Sequence, residues 1–260
     1  MNGLLSLWPR GWTREQRSSA TIVAAGALLV AILILAGRLL ALLPEPIGPS
    51  AAELAAGTLI TVELTVLSGL AGVGVGVLAA VAKMSPLRIV RWPADFYIWS
   101  VRGTPLLVQV LFVYFALPEI VPVQLSDFNS AAVALTLNVG AYNAEAIRAG
   151  IQAVPRGQTE ASRSLGLSPI QTFLDVIFPQ AFKISLPPLV NNIVALLKDS
   201  SLAYVIGVAE LSNIGNRVKT ATFQPVPVFL TTAAIYLILT TVLTEISGAI
   251  EARLDVEQRH

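Results

Sequence analysis

Five polar or charged residues interrupt stretches of the sequence that are otherwise almost entirely apolar. They are Glu63, Asn138, Tyr142, Lys198 and Asp199. A charged side chain costs free energy inside a bilayer, so one found in an apolar segment marks either a pathway for polar solutes or a tight ion pair. The pattern favours a pathway role for Glu63. It leaves open a structural pairing of Glu63 with Lys198, or of Lys198 with Asp199.

Most enzyme chemistry is disfavoured by what the sequence lacks. There is no cysteine, so the chain has no thiolate nucleophile and no cysteine-based metal site. The single histidine, His260, stands at the end of the sequence and supports neither a histidine-based triad nor a zinc site. No G-x-x-x-x-G-K-[ST] phosphate loop occurs. The remaining polar residues form no catalytic arrangement, and we expect no metal or cofactor in this chain.

The composition places these residues in a membrane protein. Charged residues make up 13% of the chain and its mean hydropathy is +0.72, whereas soluble domains usually carry about 25% charged residues. The net charge of +1 gives no indication of a nucleic-acid partner. Strands of alternating polarity are absent, and a backbone in lipid must satisfy its own hydrogen bonds, so we predict an all-α membrane protein.

Six segments are long and apolar enough to cross a bilayer, which takes about 20 residues. They are 20–43, 53–82, 96–118, 128–150, 184–209 and 226–249. We predict that residues 1–50 form a cytoplasmic arm and a first transmembrane helix, and that residues 51–252 form the main transmembrane domain. Residues 253–260 are predicted to form a cytoplasmic tail.

Lysine and arginine predict the orientation, because the cytoplasmic loops of membrane proteins carry an excess of them. Most of the 17 basic residues fall in or beside residues 1–19, 83–91 and 148–183 or the tail. The connections 44–52 and 119–127 contain none. We therefore predict a multi-pass protein with both termini in the cytoplasm.

One polar stretch, EASRSLGLSPIQTFLDVIFP at residues 160–179, carries strong local signals. Pro155 suits the first turn of a helix, and Gly166 suits the position after a helix end, where a positive φ is needed. Residues 168–171 (SPIQ) form a capping box with proline at the first helical position. We predict two short cytoplasmic helices over 155–179, joined at a glycine corner. By these rules alone, the first helix either fills a cleft in a partner or rests on the bilayer surface.

This stretch resembles the EAA motif of ABC-importer permeases, which reads E-A-A, three residues, G, nine residues and I-x-L-P. Glu160-Ala161-Ser162 begins the motif, Gly166 follows at the matching distance, and residues 176–179 (VIFP) close it. The departures, Ser for Ala, Val for Ile and Phe for Leu, preserve small size or apolar bulk. Other segments are similar to the polar amino-acid uptake branch of the same family: GTLITVELTVL (57–67), RGTPLLVQ (102–109), AYNAEAIRAGIQAVPRGQ (141–158) and LPPLVNNIVALLKDSSLAYVIGVAEL (186–211).

The resemblance implies a MetI-like, type I importer permease fold with five core transmembrane helices and a short cytoplasmic coupling helix. Residues 20–43 would add one N-terminal helix to that core. It also implies a bacterial inner-membrane subunit that pairs with a second permease, identical or related, and receives a polar amino acid from an extracytoplasmic solute-binding protein. Separate cytoplasmic subunits would bind ATP and Mg and drive transport. The residues expected to contact them are Gly157, Glu160, Ala161, Arg163, Ser164 and Gly166.

Under this resemblance, the five polar residues of the spans surround a polar amino acid in transit. Two carboxylates, Glu63 and Asp199, against the single Lys198 favour a cationic side chain such as that of arginine or lysine. An ion-gradient-driven secondary amino-acid transporter is the alternative. Such transporters usually carry internal repeats in two halves, and none is evident in this sequence.

The glycine-dense run GVGVGV lies within the second predicted span. A dinucleotide-binding loop would need a strand before the glycines and a helix after them, and that context is missing. The spacing Gly72-x-x-x-Gly76 instead predicts close packing of two helices in lipid. Arg102 is predicted to anchor the cytoplasmic face, with contact to lipid phosphates or to the ATP-binding subunit as alternatives.

Overall fold

The computed structural model describes Pro9 and residues 11–257, and every regular element in that part of the chain is helical. The helices are α1 (Arg14–Leu40), α2 (Ala51–Lys83), α3 (Arg88–Gly103), α4 (Leu106–Ile120), α5 (Asp127–Ala153), α6 (Arg156–Ser164), α7 (Pro169–Ile206), α8 (Leu211–Thr222) and α9 (Pro225–Glu257). The predicted all-α class is confirmed. Residues 1–8 and 10 of the predicted arm and 258–260 of the predicted tail lie outside the described residues.

Three helices of the described chain are each long and apolar enough to cross a bilayer, namely α2, α7 and α9. α3 and α4 meet the same criterion only as a pair, and their axes bend by 113° at the break between them. Residues 96–118 therefore do not form the single helix that their apolar pattern predicted. Pro105 explains the break, because it disfavours helical backbone in Thr104, which is extended at φ −118° and ψ 148°. The total of six crossings stays a prediction.

The helix that follows the glycine corner is much longer than predicted. α7 continues from Pro169 past residue 179 and through the predicted fifth span. A π-helical turn over Thr172–Ile177 precedes Pro179, where a widened turn relieves the clash that proline makes with the preceding turn. α7 ends in a 3-10 turn before Gly207, whose φ is 94°.

The packing of α2 against α5 confirms the prediction made from the glycine spacing. A Cβ atom added to Gly72 would overlap Val139 Cγ1, and one added to Gly76 would lie 2.6 Å from Asn143 Cβ. Gly74, between them, faces open space, with nothing within 4 Å of such a Cβ. Small residues at a helix contact allow two backbones to approach closely in lipid. Buried apolar residues of α2, α4, α5 and α7 form the main core around this contact.

A buried carboxylate fixes the position of α8. Glu210 is fully buried and caps α8 by accepting the backbone N–H groups of Ser212 and Asn213 at 2.9 and 2.8 Å. Tyr236 Oη of α9 donates to the same carboxylate at 2.8 Å, and Thr61 Oγ1 of α2 donates at 3.4 Å. Burial raises the pKa of the Glu210 carboxyl, whereas these hydrogen bonds oppose that rise. One side chain therefore joins three helices.

The additional N-terminal helix packs on the last helix of the chain. α1 lies along α9 and also contacts α2. Ser18, Thr21 and Ala25 are buried in this contact, and Ser18 Oγ donates to Ala249 O at 2.5 Å. α1 is therefore seated on the helical core.

Candidate functional site

The corner between α6 and α7 has the geometry that the sequence predicts. Gly166 has a φ of 83°. Its N–H donates to Arg163 O at 3.0 Å, and Leu167 N–H donates to Ser162 O at 3.1 Å. These two bonds form the Schellman motif, which satisfies the last carbonyl groups of a helix and needs a left-handed residue at the glycine position. The predicted stop after α6 is confirmed.

Buried hydroxyl groups hold α6 against the start of α7. Ser162 is buried, and its Oγ donates to Thr159 O at 3.0 Å and lies 3.2 Å from Thr172 Oγ1. The predicted capping box is also present, with Ser168 and Gln171 each accepting the backbone N–H of the other. Serine at the last position of the EAA triplet therefore has a specific partner, which its small size alone did not reveal.

All six residues predicted to contact an ATP-binding subunit are exposed on α6 and the corner. They are Gly157, Glu160, Ala161, Arg163, Ser164 and Gly166. Within the described chain, Glu160 makes no ion pair within 4.0 Å. Two large apolar side chains, Leu165 and Ile170, are 83% and 71% exposed next to them. Exposed apolar side chains with a polar rim are typical of an interaction surface.

Three of the five predicted pathway residues line one cavity between α4, α5 and α7. Asn138, Tyr142 and Asp199 face a space of about 400 Å³. Asn192 and Thr104 add an amide and a hydroxyl group to its wall. Such a cavity, apolar in part and carrying a few convergent polar groups, is typical of a small-molecule site.

The other two predicted residues lie elsewhere. Lys198 lines a separate cleft of about 550 Å³ beside Ser212 and Tyr236, and Glu63 is exposed on α2. In the described part of the chain, no ion pair within 4.0 Å joins Glu63 to Lys198 or Lys198 to Asp199. Neither of the structural pairings that the sequence allowed is therefore formed.

An amide network at the cavity was largely missed by the sequence analysis. Asn138 Nδ2 donates to Gln109 Oε1 at 3.0 Å, and Gln109 Nε2 donates to Thr104 O at 3.0 Å. Asn192 Nδ2 donates to Asn143 Oδ1 at 2.9 Å across α5 and α7. The signal was available, because Gln109 and Asn192 are polar residues within apolar segments. They are uncharged and so stood out less than Lys198 and Glu63.

A cluster of ion pairs connects the cavity with the end of α5 that leads to the corner. Glu145 contacts Arg148 at 2.7 Å, Lys83 at 2.8 Å and Arg102 at 3.9 Å. The Arg102 guanidinium also lies 5.2 Å from the centre of the Tyr142 ring, within the range of a cation–π interaction. Arg102 therefore links a side chain of the cavity wall to the carboxylate that holds α2, α3 and α5 together.

Curated relatives of the chain are permeases named for amino acids. The chain is 41% identical over 203 residues to the L-cystine transport system permease protein TcyB of Bacillus subtilis, covering 78% of this chain and 86% of that protein. It is 38% identical over 198 residues to the arginine transport system permease protein ArtQ of the same species, covering 76% and 90%.

A solved structure shares both the fold and the sequence pattern. One chain of an amino acid ABC transporter, solved with histidines, superposes with a TM-score of 0.74 at 38% identity. The match covers 78% of this chain and 94% of that chain, and it confirms the type I importer permease fold. The family profile of the binding-protein-dependent transport system inner membrane component matches residues 72–256. The chain therefore belongs to the family of inner membrane components of binding-protein-dependent transport systems.

Proposed function

We propose that the chain is the transmembrane subunit of an ATP-driven importer that moves polar amino acids into the bacterial cytoplasm. The observation that carries this proposal is the exposed corner, where Glu160 and Arg163 stand beside the exposed apolar Leu165 and Ile170. The rigid Schellman turn and the bonded Ser162 hold this surface in one shape. A surface of this kind fits a cleft in an ATP-binding subunit and can transmit its movement to α5 and α7.

The function requires several partners. ATP and Mg bind to separate cytoplasmic subunits, which contact Gly157, Glu160, Ala161, Arg163, Ser164 and Gly166. A second permease subunit, identical or related, completes the pathway, and an extracytoplasmic solute-binding protein delivers the substrate. Both termini of this chain lie in the cytoplasm. The partners are inferred from the family membership. The position of the termini is inferred from the distribution of lysine and arginine along the sequence.

The chemistry of the cavity suits an amino acid with a cationic side chain. Asp199 supplies a carboxylate, while Asn138, Asn192 and Tyr142 supply amide and hydroxyl groups for the polar backbone of the substrate. The relatives TcyB and ArtQ are named for cystine and arginine, which are both polar. Glu63 is exposed on α2, outside this cavity. We propose that it lies at the contact with the second permease subunit and adds its carboxylate to the pathway there.

Co-purification tests the proposed function. The chain, expressed with the products of neighbouring genes, should elute with an ATPase whose turnover rises when the liganded binding protein is added. Uptake should occur in proteoliposomes that contain the complete assembly and ATP. Uptake by this chain alone, driven by a proton gradient, would instead establish the secondary-transporter alternative and refute the proposal.

Substitution of Asp199 by asparagine should lower the uptake of cationic amino acids. A hydrogen bond to a charged group contributes about 1.5–3 kcal/mol, so we expect kcat/KM for arginine or lysine to fall roughly 10- to 100-fold. Uptake of neutral amino acids should fall much less. The measurement is uptake of both classes in proteoliposomes, with Glu53→Gln as the control because Glu53 is exposed in the first turn of α2.

Glu63→Gln belongs to the same series and examines the second carboxylate separately. Reduced uptake of cationic amino acids would support its contribution at the permease contact. If uptake of every substrate stays unchanged, Glu63 has no part in the pathway.

An equal loss of cationic and neutral uptake in Asp199→Asn would show that Asp199 supports the structure and does not select charge.

A further inference from the structure

The polarity of α3 is inverted relative to that of a helix in a water-soluble protein. Four large apolar side chains, Ile89, Trp92, Phe96 and Trp99, are 83%, 70%, 55% and 72% exposed. Their spacing of three, four and three residues puts them on one face of the helix. The rings of Trp92 and Phe96, and of Phe96 and Trp99, lie 6.0 Å apart. These four residues form a continuous surface, here named the aromatic face.

Contacts at the edge of the aromatic face and opposite it fix α3 to the core. Asp95, at the edge, contacts Lys83 of α2 at 3.3 Å. On the other side of the helix, Tyr97 Oη donates to Leu137 O of α5 at 2.6 Å, and Ile98 is buried. Because Tyr97 and Ile98 face the core, the aromatic face is directed away from the protein.

The geometry of α3 rules out a crossing by this helix alone. Its 16 residues span about 24 Å, whereas the hydrocarbon core of a bilayer is about 30 Å thick. The bend of 113° between α3 and α4 means that α3 lies close to the bilayer plane when α4 follows the bilayer normal. The contact of Lys83 with Glu145 places α3 at the end of the molecule where α5 leads into the corner.

Two arginines stand at the start of the aromatic face. Arg88 and Arg91 are exposed, and within the described chain Arg88 makes no ion pair within 4.0 Å, while Arg91 reaches Asp95 only at 4.0 Å. Tryptophan rings are enriched at the boundary between lipid headgroups and acyl chains, and basic side chains there bind anionic phosphates. The combination favours lipid over a protein partner as the occupant of this face.

We propose that α3 is an interfacial helix, which lies in the bilayer surface at the end of the molecule that carries the coupling corner. Its aromatic face is embedded among the upper acyl chains, and Arg88 and Arg91 bind the phosphates of anionic lipids. Because α3 is tied to α2 and α5 through Lys83 and Glu145, the bilayer surface fixes the height at which these helices present the corner.

Spin-label depth measurements on the assembled transporter test this arrangement. The chain contains no cysteine, so Trp92→Cys and Trp99→Cys each give one label position in this subunit once cysteines of the partner subunits are replaced. In nanodiscs of phosphatidylglycerol and phosphatidylcholine, relative collision rates with oxygen and a water-soluble nickel chelate report depth. Both labels should lie about 5–10 Å below the phosphates, and their depths should differ by only a few ångströms.

Two results would overturn the proposal. A depth difference near 10 Å would show an upright helix, because seven residues rise about 10.5 Å along a helix axis. Labels shielded from both oxygen and nickel would show that a protein partner covers the face.

The arginines are tested by replacing phosphatidylglycerol with phosphatidylcholine, which should raise nickel contact at Trp92→Cys. The same rise in nickel contact in the Arg88→Gln/Arg91→Gln variant would show that the two arginines do not bind anionic lipid.

Discussion

Replacing Glu160 with arginine should separate this chain from its ATP-binding subunit while leaving its insertion into the membrane intact. The Glu160 carboxylate is exposed on α6 and makes no ion pair within 4.0 Å in the described chain, so the substitution breaks no ion pair of the fold. Removal of one member of a buried, hydrogen-bonded charge pair at an interface costs about 2–5 kcal/mol, and reversal of the charge adds repulsion. We expect loss of the ATPase from the purified complex and at least a tenfold fall in stimulated ATP hydrolysis.

The matched control for this substitution is Glu119→Arg. Glu119 is also exposed, but it lies at the end of α4, in a connection that the charge asymmetry places on the external side. The same change of charge there should leave the ATPase bound, as measured by co-elution in size-exclusion chromatography. Equal binding of the ATPase to Glu160→Arg and to the unsubstituted chain would refute the role of the corner in coupling.

The corner was predictable because its shape depends on a few neighbouring residues. A glycine with positive φ, a proline at the first helical position and a capping box act within one or two turns of helix, and the structure has each of them. The length of α7 was not predictable in the same way. Proline usually ends or kinks a helix, but the π-turn at Thr172–Ile177 lets α7 continue past Pro179.

The break between α3 and α4 shows the limit of an apolar pattern. Residues 96–118 are mostly apolar, yet their first part belongs to a helix that bends away from the rest by 113°. The number of apolar residues in a segment is the same whether their side chains face lipid at the bilayer surface or lie in the interior of the bilayer. The aromatic residues Trp92, Phe96 and Trp99, spaced as one face of a helix, were the available signal for an interfacial element.

The shared cavity of two predicted pathway residues follows directly from their place on one helix. Asn138 and Tyr142 are four residues apart on α5, so a shared cavity follows from helix geometry. Lys198 and Asp199 are adjacent in sequence, and successive residues of a helix point about 100° apart, so they face different cavities. Glu63 lies on α2 and is exposed, away from the cavity that Asn138 and Tyr142 share, and its position relative to α5 depends on the tertiary arrangement, which its place in the sequence does not indicate.

Leucine at Gly76 should disrupt the contact between α2 and α5 and with it the transport pathway. A Cβ atom at Gly76 would lie 2.6 Å from Asn143 Cβ and 3.2 Å from Ala144 N, which is backbone and cannot rotate away. Asn143 in turn holds Asn192 at the cavity. Overpacking of a close contact costs about 1–3 kcal/mol or more. For a chain of this size, that free energy corresponds to a fall of roughly 2–12 °C in the thermal midpoint.

Gly74→Leu separates this packing effect from the general effect of replacing glycine in a helix. Gly74 lies one half-turn from Gly76 on the same helix, and a Cβ atom there has nothing within 4 Å. Both substitutions remove a glycine that disfavours helix and add the same apolar side chain. The control should therefore melt at or above the temperature of the unsubstituted protein, while Gly76→Leu melts lower and loses uptake. Equal midpoints for the two variants in detergent-solubilised complexes would show that α2 and α5 are not locked together at Gly76. In that case the α2–α5 contact at Gly76 would not be what holds the cavity between α4, α5 and α7 in shape.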